Sequence, residues 1–282
     1  MQASGTLDAF TVDFEDWYHG IEIESTDWSR FESRIEVGTT RLLDLLDEAD
    51  TRATFFVLGA AAEAAPDLVR EIARRGHEIG SHGYGHEFVY DLTLESFRVD
   101  LEHSLEVLTG LVSSPIRGYR APYFSVTAKS EWAFDVLLES GIHYDSSVFP
   151  VHNYRYGIPT APRFIHEVRP GLVELPPSTW RLAGHNLPIA GGAYFRLLPY
   201  TITRFGLRRA HAAGKPAVFY LHPWELDPEH PRLQLPRRVA LTHYHNLAKT
   251  QFRLRKLLAE FDFSSASDVL ADTVPGLGKL FE

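Results

Sequence analysis

The stretch Gly76-His77-Glu78-Ile79-Gly80-Ser81-His82-Gly83-Tyr84-Gly85-His86 decides how the chain is read. A short glycine-bounded run that reads as a strand end passes straight into two histidines four positions apart. Imidazoles at that spacing, on one helical turn or in a tight loop, can turn their nitrogens toward a single ion. Sites in α/β proteins gather where strands end, so the pair stands where chemistry is expected. A second strand-like run, Ala9-Phe10-Thr11-Val12, ends in Asp13-Phe14-Glu15-Asp16 and supplies carboxylates. Two histidines and a carboxylate with coordination positions left open make a hydrolytic metal site, because the open position takes the water to be activated.

Outward from these runs the chain alternates strand and helix. Ala53-Thr54-Phe55-Phe56-Val57-Leu58-Gly59 is continuously apolar with β-branched and aromatic residues, as a strand buried on both faces should be. Helices are expected over Gly38 to Glu48 and Pro66 to Arg75, after Thr93, and over Glu131 to Glu139. From Phe149 to Pro199 proline and glycine are frequent, so short strands and ordered loops replace long helices, and such loops are where substrates are read. A helix near Tyr200 to Ala213 precedes the apolar strand Ala217-Val218-Phe219-Tyr220-Leu221, which ends at His222-Pro223-Trp224-Glu225. Past Pro228, Pro231 and Pro236, Tyr244 to Phe261 reads as a basic amphipathic helix whose apolar side packs on the preceding domain. Repeated βα units of this kind imply a parallel barrel or open sheet.

Composition narrows the partners. A net charge of −9 over 282 residues, without long charge runs, argues against nucleic acid and anionic membrane, which reward basic patches. With no cysteine, any metal must sit on histidine and carboxylate. No apolar run approaches the roughly 18 residues of a span, and no signal segment is visible, so the expectation is a soluble, cytoplasmic protein without stable membrane insertion.

Asp13 to Asp16, His82 with His86, Arg120-Ala121-Pro122-Tyr123, Asp145 and His222 follow one another at strand ends. In this order, over about residues 8–225, the chain resembles the NodB-homology polysaccharide deacetylases. Leu226 to Leu270 and the segment Gly191 to Pro199 resemble the exosortase-associated exopolysaccharide deacetylases. The resemblance implies a distorted (β/α)7 TIM-like barrel over 1–225 with a C-terminal helical extension over 226–282 packed on it. It implies metal-dependent N-deacetylation of N-acetylhexosamine units in an exopolysaccharide or its precursor. Carried over by residue, Asp13 is the general base, Arg120 holds it ionised, and a backbone N–H near Tyr123 cradles the oxyanion. His222 protonates the leaving amine, with Asp145 orienting its ring. His82, His86 and an acidic residue just after Asp13 are the metal ligands. Zinc is the expected ion, although these donors also accept Co, Ni or Fe. Amide hydrolysis needs an activated water, a polarised carbonyl and an acid for the nitrogen, and this set provides each.

Other readings stay open at this level. Arg120 can merely brace a carboxylate, Asp145 can cap a turn, and Trp17, Trp180 and Trp224 can be core residues rather than sugar platforms. The rival activities are an amidase for small non-sugar amides and a catalytically silent carbohydrate-binding barrel. The third ligand is either Glu15, if the strand stays extended so that Asp13 and Glu15 share a face, or Asp16, if the chain turns after Phe14. The expectation is Asp16, with the other carboxylate holding the loop. Gly83 and Phe124 depart from the common pattern, which has Ser or Thr and glycine there.

Overall fold

The computed structural model describes residues 5–21, 23 and 25–274. Strand β1 (Asp8–Phe14) is followed by helix α1 (Ile35–Glu48), β2 (Thr54–Val57), α2 (Gly59–Ala64), α3 (Pro66–Arg74), β3 (Glu78–Ser81), α4 (Leu94–Leu111), β4 (Gly118–Tyr119), α5 (Ala133–Glu139) and β5 (Tyr144–Asp145). Short strands β6 (His166–Arg169), β7 (Leu172–Glu174), β8 (Thr179–Leu182) and β9 (His185–Pro188) fill the proline-rich segment. Then come α6 (Gly192–Leu197), α7 (Tyr200–His211) and β10 (Val218–Leu221). The chain finishes with α8 (Arg237–Tyr244), α9 (Leu247–Glu260), β11 (Phe263–Ser264) and α10 (Ala266–Thr273).

The strands β10, β1, β2, β3, β4, β5 and β7 lie side by side in that order, each parallel to the next. β6 adds an antiparallel edge to β7. Beyond this edge the sheet curls back on itself: the Ser178 N–H donates to Val218 O at 3.0 Å and the Tyr220 N–H to Ala190 O at 2.8 Å. β10 is thereby bonded on both flanks, and the result is a distorted (β/α)7 barrel.

Period-2 alternation sorts the side chains of β1. Phe10, Val12 and Phe14 join Phe55, Val57, Ile79, Phe219 and Leu221 in the main core beneath the helices. Ala9 faces the other way with Phe56, Tyr144 and Val218, so Thr11 and Asp13 share that inner face. Its lower end is closed by α10, whose Ala266, Val269 and Leu270 pack on the same residues. The closure is polar at its centre. The Ser267 N–H and the Tyr144 hydroxyl donate to the half-buried Glu78 carboxylate at 3.1 and 2.8 Å, a favourable place for an acid at a helix N-terminus. β11 pairs with β1, and Leu254 and Leu257 of α9 enter the main core. The helix expected over Tyr244 to Phe261 is α9, which starts at Leu247 after Asn246 takes a left-handed conformation at φ 56° and separates it from α8, a helix that was not expected. Residues 275–282 of the expected extension lie outside the described residues. Among the described residues no helix is long and apolar enough to cross a membrane.

Removal of the chain after Glu225 would strip β11 from β1 and take Leu254, Leu257, Val269 and Leu270 out of the core, uncovering the strand residues they pack on. At about 1.5–3 kcal/mol for each buried side chain, that loss rivals the ~5–15 kcal/mol that holds a typical domain together. A protein truncated there is expected to lack a cooperative thermal transition in calorimetry. A soluble truncate that melts cooperatively would contradict the packing described.

Candidate active site

Ligand atoms of Glu15, His82 and His86 lie within 4.8 Å of one another, and all three residues are buried. β1 hands over to Glu15 without a turn: the Leu58 N–H donates to Phe14 O at 3.3 Å, so the chain stays extended and Glu15 keeps the inner face of Asp13. His82 follows β3, and its Nδ1 lies 2.7 Å from Arg120 O. A carbonyl only accepts, so Nδ1 carries the hydrogen and Nε2 presents its lone pair. Burial holds the His82 ring neutral, with its pKa lowered to about 4. His86 Nε2 stands 2.5 Å from Glu15 Oε2, an oxygen with no hydrogen-bond donor. Burial alone would raise the pKa of Glu15, but the imidazoles of His86, His222 and His82 hold it well below the usual carboxylate range.

Two imidazole nitrogens and a buried carboxylate oxygen converging at the edge of the cavity fit a divalent cation. The loop between the histidines is not helical. It is pinned from α4 by Asp100, whose carboxylate accepts the Tyr84 and Gly85 N–H groups at 2.8 Å each. Gly83 is required here, since its φ is +71° and a Cβ would fall 2.8 Å from Asp100 Oδ2. Phe124 has φ 53° without that freedom, and its ring is buried against Phe149 and Tyr220.

The structure corrects two sequence expectations. Asp16 does not turn toward Asp13 but toward α1, where Ser33 Oγ donates to it at 2.6 Å and the Arg34 N–H at 2.9 Å. It supplies the cap that α1 lacks, because the cap residue Arg34 makes no side-chain bond of its own. Glu15, not Asp16, is the carboxylate beside the two histidines. Asp145 does not meet His222 either. It takes the Ser147 hydroxyl at 2.5 Å and lies opposite Glu174 across β5 and β7. Burial pushes both of these carboxyls upward.

The partner of His222 is Glu225, which sequence reasoning passed over although it stands three residues on. Glu225 Oε1 lies 2.8 Å from His222 Nδ1, and Arg196 Nε donates to Oε2 at 2.5 Å. His222 Nε2 is then aimed at the cavity, 3.7 Å from both Asp13 Oδ2 and Glu15 Oε1. Arg120 Nη1 donates to Asp13 Oδ1 at 2.7 Å, and its Nε and Nη2 donate to Ser146 O and Oγ. Tyr123 lines the cavity with a left-handed backbone, and its hydroxyl donates to His19 O at 2.9 Å. Of the expected residues, Asp13, Glu15, His82, His86, Tyr123 and His222 surround one cavity of ≈ 270 Å³. Tyr154, Arg155 and Tyr156 form another wall, and Arg238, Thr242 and His243 of α8 a third.

A family model described as "Polysaccharide deacetylase" matches residues 25–137, and one described as "Domain of unknown function (DUF3473)" matches residues 146–271. The chain is 33% identical over 135 residues to the peptidoglycan deacetylase of Helicobacter pylori, covering 48% of this chain and 44% of that one. It is 33% identical over 150 residues to the chitooligosaccharide deacetylase of Sinorhizobium fredii, covering 49% and 65%. The chain thus spans about half the length of the curated relatives it matches. A crystal structure of a protein from Mycobacterium smegmatis, assigned as a polysaccharide deacetylase, superposes with a TM-score of 0.64 at 24% identity over 95% of this chain and 90% of that one. That likeness is one of fold.

Titration of the purified protein with zinc should separate the carboxylates. Glu15→Ala, His82→Ala and His86→Ala are each expected to lower affinity by more than the ~10–100-fold typical of supporting residues, whereas Asp16→Ala leaves it near normal and lowers the melting temperature. Loss of zinc in Asp16→Ala with retention in Glu15→Ala would reverse the assignment.

Proposed function

We propose that this chain, which belongs to the polysaccharide deacetylase family, is a metal-dependent N-deacetylase acting on N-acetylhexosamine units of an exopolysaccharide or its precursor. The observation that carries this reading is the convergence of Glu15, His82 and His86 beside Asp13 and His222 in one cavity. Glu15, His82 and His86 would hold the cation, with zinc the ion that best suits one carboxylate and two imidazoles. When bound, such an ion supplies Lewis acidity toward the acetamide carbonyl and toward water.

The chain's own groups do the proton work. Arg120 occupies one oxygen of Asp13 and leaves Oδ2 at the cavity to take a proton from the attacking water. His222, with Nδ1 committed to Glu225, offers Nε2–H to the departing nitrogen. The backbone turn at Tyr123 is the candidate support for the developing oxyanion. Tyr154 and Tyr156 at the mouth give the flat, amphipathic surfaces on which sugars stack.

Acetate release from N-acetylglucosamine oligomers, measured with and without a chelator, tests the reading. Turnover that the chelator abolishes and zinc restores is expected; turnover of small amides alone would move the substrate assignment, and no turnover of either would refute the activity. A pH profile tests the acid. Burial pushes the His222 ring toward its neutral form, but Glu225, Glu15 and Asp13 outweigh that effect and raise its pKa to about 9. The protonated ring therefore prevails at neutral pH, and kcat/KM is expected to fall as pH rises through that region. Glu225→Gln should bring this alkaline limb to lower pH, and an unmoved limb would contradict the assignment.

A further inference from the structure

We infer that Arg196 is a positioning residue for the hydrolytic reaction: through Glu225 it holds the His222 ring on the cavity, and it ties that pair to the C-terminal end of α8. The inference rests on the reading of His222 as the acid. Arg196 is only 1% exposed, and all three of its guanidinium nitrogens donate hydrogen bonds. Beyond Nε on Glu225, Nη2 donates to Thr242 O at 2.7 Å, and Nη1 donates to His243 O and His245 O at 3.0 Å each. These carbonyls close α8, where the last turn has no intrahelical donors and the helix dipole is negative. A planar fork of five donors meets a carboxylate on one edge and a row of carbonyls on the other; a lysine ammonium cannot.

The direction of the chain of contacts gives it function. Glu225 Oε2 belongs to Arg196, which leaves Oε1 to take both the His222 backbone N–H at 3.0 Å and the ring Nδ1–H at 2.8 Å. The imidazole plane and its hydrogen are thereby set, and Nε2 faces Asp13. Without Arg196 a fully buried carboxylate would lose its counter-charge and three carbonyls their donors, so Glu225 would rotate or take up a proton and release the ring. The clamp is reciprocal: Arg253 Nη1 donates to Phe195 O at 2.6 Å and Arg196 O at 3.0 Å, and Asn246 Nδ2 to Arg196 O at 2.9 Å. The segment after Glu225 therefore acts on the acid although its side chains do not touch it through this route.

The test compares kcat/KM on an N-acetylglucosamine oligomer and on 4-nitrophenyl acetate for the full chain, Arg196→Lys and Arg196→Ala, together with nitrogen NMR of the His222 ring. Arg196→Ala is expected to lose ~10²-fold on the amide, the usual scale for a displaced acid, and far less on the ester, whose leaving group needs no proton. Its Nδ1–H signal should vanish, and methylguanidinium should restore part of both the signal and the amide activity. Arg196→Lys should fall between the two and keeps the test open if the alanine variant does not fold. Equal losses on both substrates in a folded variant, or an unchanged His222 signal, would overturn the inference. A wild-type protein that releases no acetate while its His222 signal still depends on Arg196 would refute the deacetylase reading and support the hold of Arg196 on the ring.

Discussion

Glu15 is a carboxylate withdrawn from water at the end of an inner barrel strand, and the site is arranged around the charge it brings. Burying such a group is costly unless a counter-charge or a set of donors meets it. The neighbouring acids are each met by a dedicated guanidinium: Arg120 backs Asp13 and Arg196 backs Glu225. Among the described residues only imidazoles stand within ion-pair distance of Glu15. Of these, His82 is held neutral by burial, and its hydrogen bond to Arg120 O turns the free lone pair toward the same point. Where no arginine serves Glu15, a divalent cation would complete this balance. Arg120 is itself withdrawn from water, its guanidinium over the Phe56 ring at 4.3 Å, so both ends of the Asp13 pair are fixed by packing as well as by charge.

The two matched regions contribute to one site. His82, His86 and Arg120 lie within residues 25–137, whereas Arg196, His222 and Glu225 lie within residues 146–271. Asp13 on β1 and Glu15 just after it precede both, and β1 joins β10 on one side to β2 and β11 on the other. Under the proposed reading, the base and the metal-fitting groups come from the earlier part of the chain and the acid from the later matched region. The later half also supplies the mouth, with Tyr154 and the Arg238 guanidinium 3.9 Å over its ring. On the proposed function, substrate choice and leaving-group protonation would belong to that half.

Much of the fold was legible because buried parallel strands announce themselves as apolar runs: Thr54–Val57 and Val218–Leu221 are fully buried, as their composition suggests. The histidine pair was legible from spacing and from its place at a strand end. What escaped depended on distant partners. Asp16 is decided by Ser33 and Arg34, seventeen and more positions away, which draw it to an uncapped helix. Period-2 alternation through Glu15 was the correct physical rule there, and the loss of β-pattern after Phe14 misled. Asp145 is decided by register, since β5 pairs with β7 and sets it opposite Glu174. Glu225 left a local signal, a carboxylate three residues after His222 across a proline-started turn; Arg196 left none, because its partners come from α8 and the strand end together.

The most direct measurement is a crystal structure of the zinc-soaked protein with anomalous data collected at the zinc edge. One strong peak is expected, bounded by Glu15 Oε2, His82 Nε2 and His86 Nε2, with Asp16 still on Ser33 and Arg34 and His222 still on Glu225. A peak coordinated by Asp16, or well-ordered Glu15, His82 and His86 side chains with no peak between them at saturating zinc, would contradict the central claim.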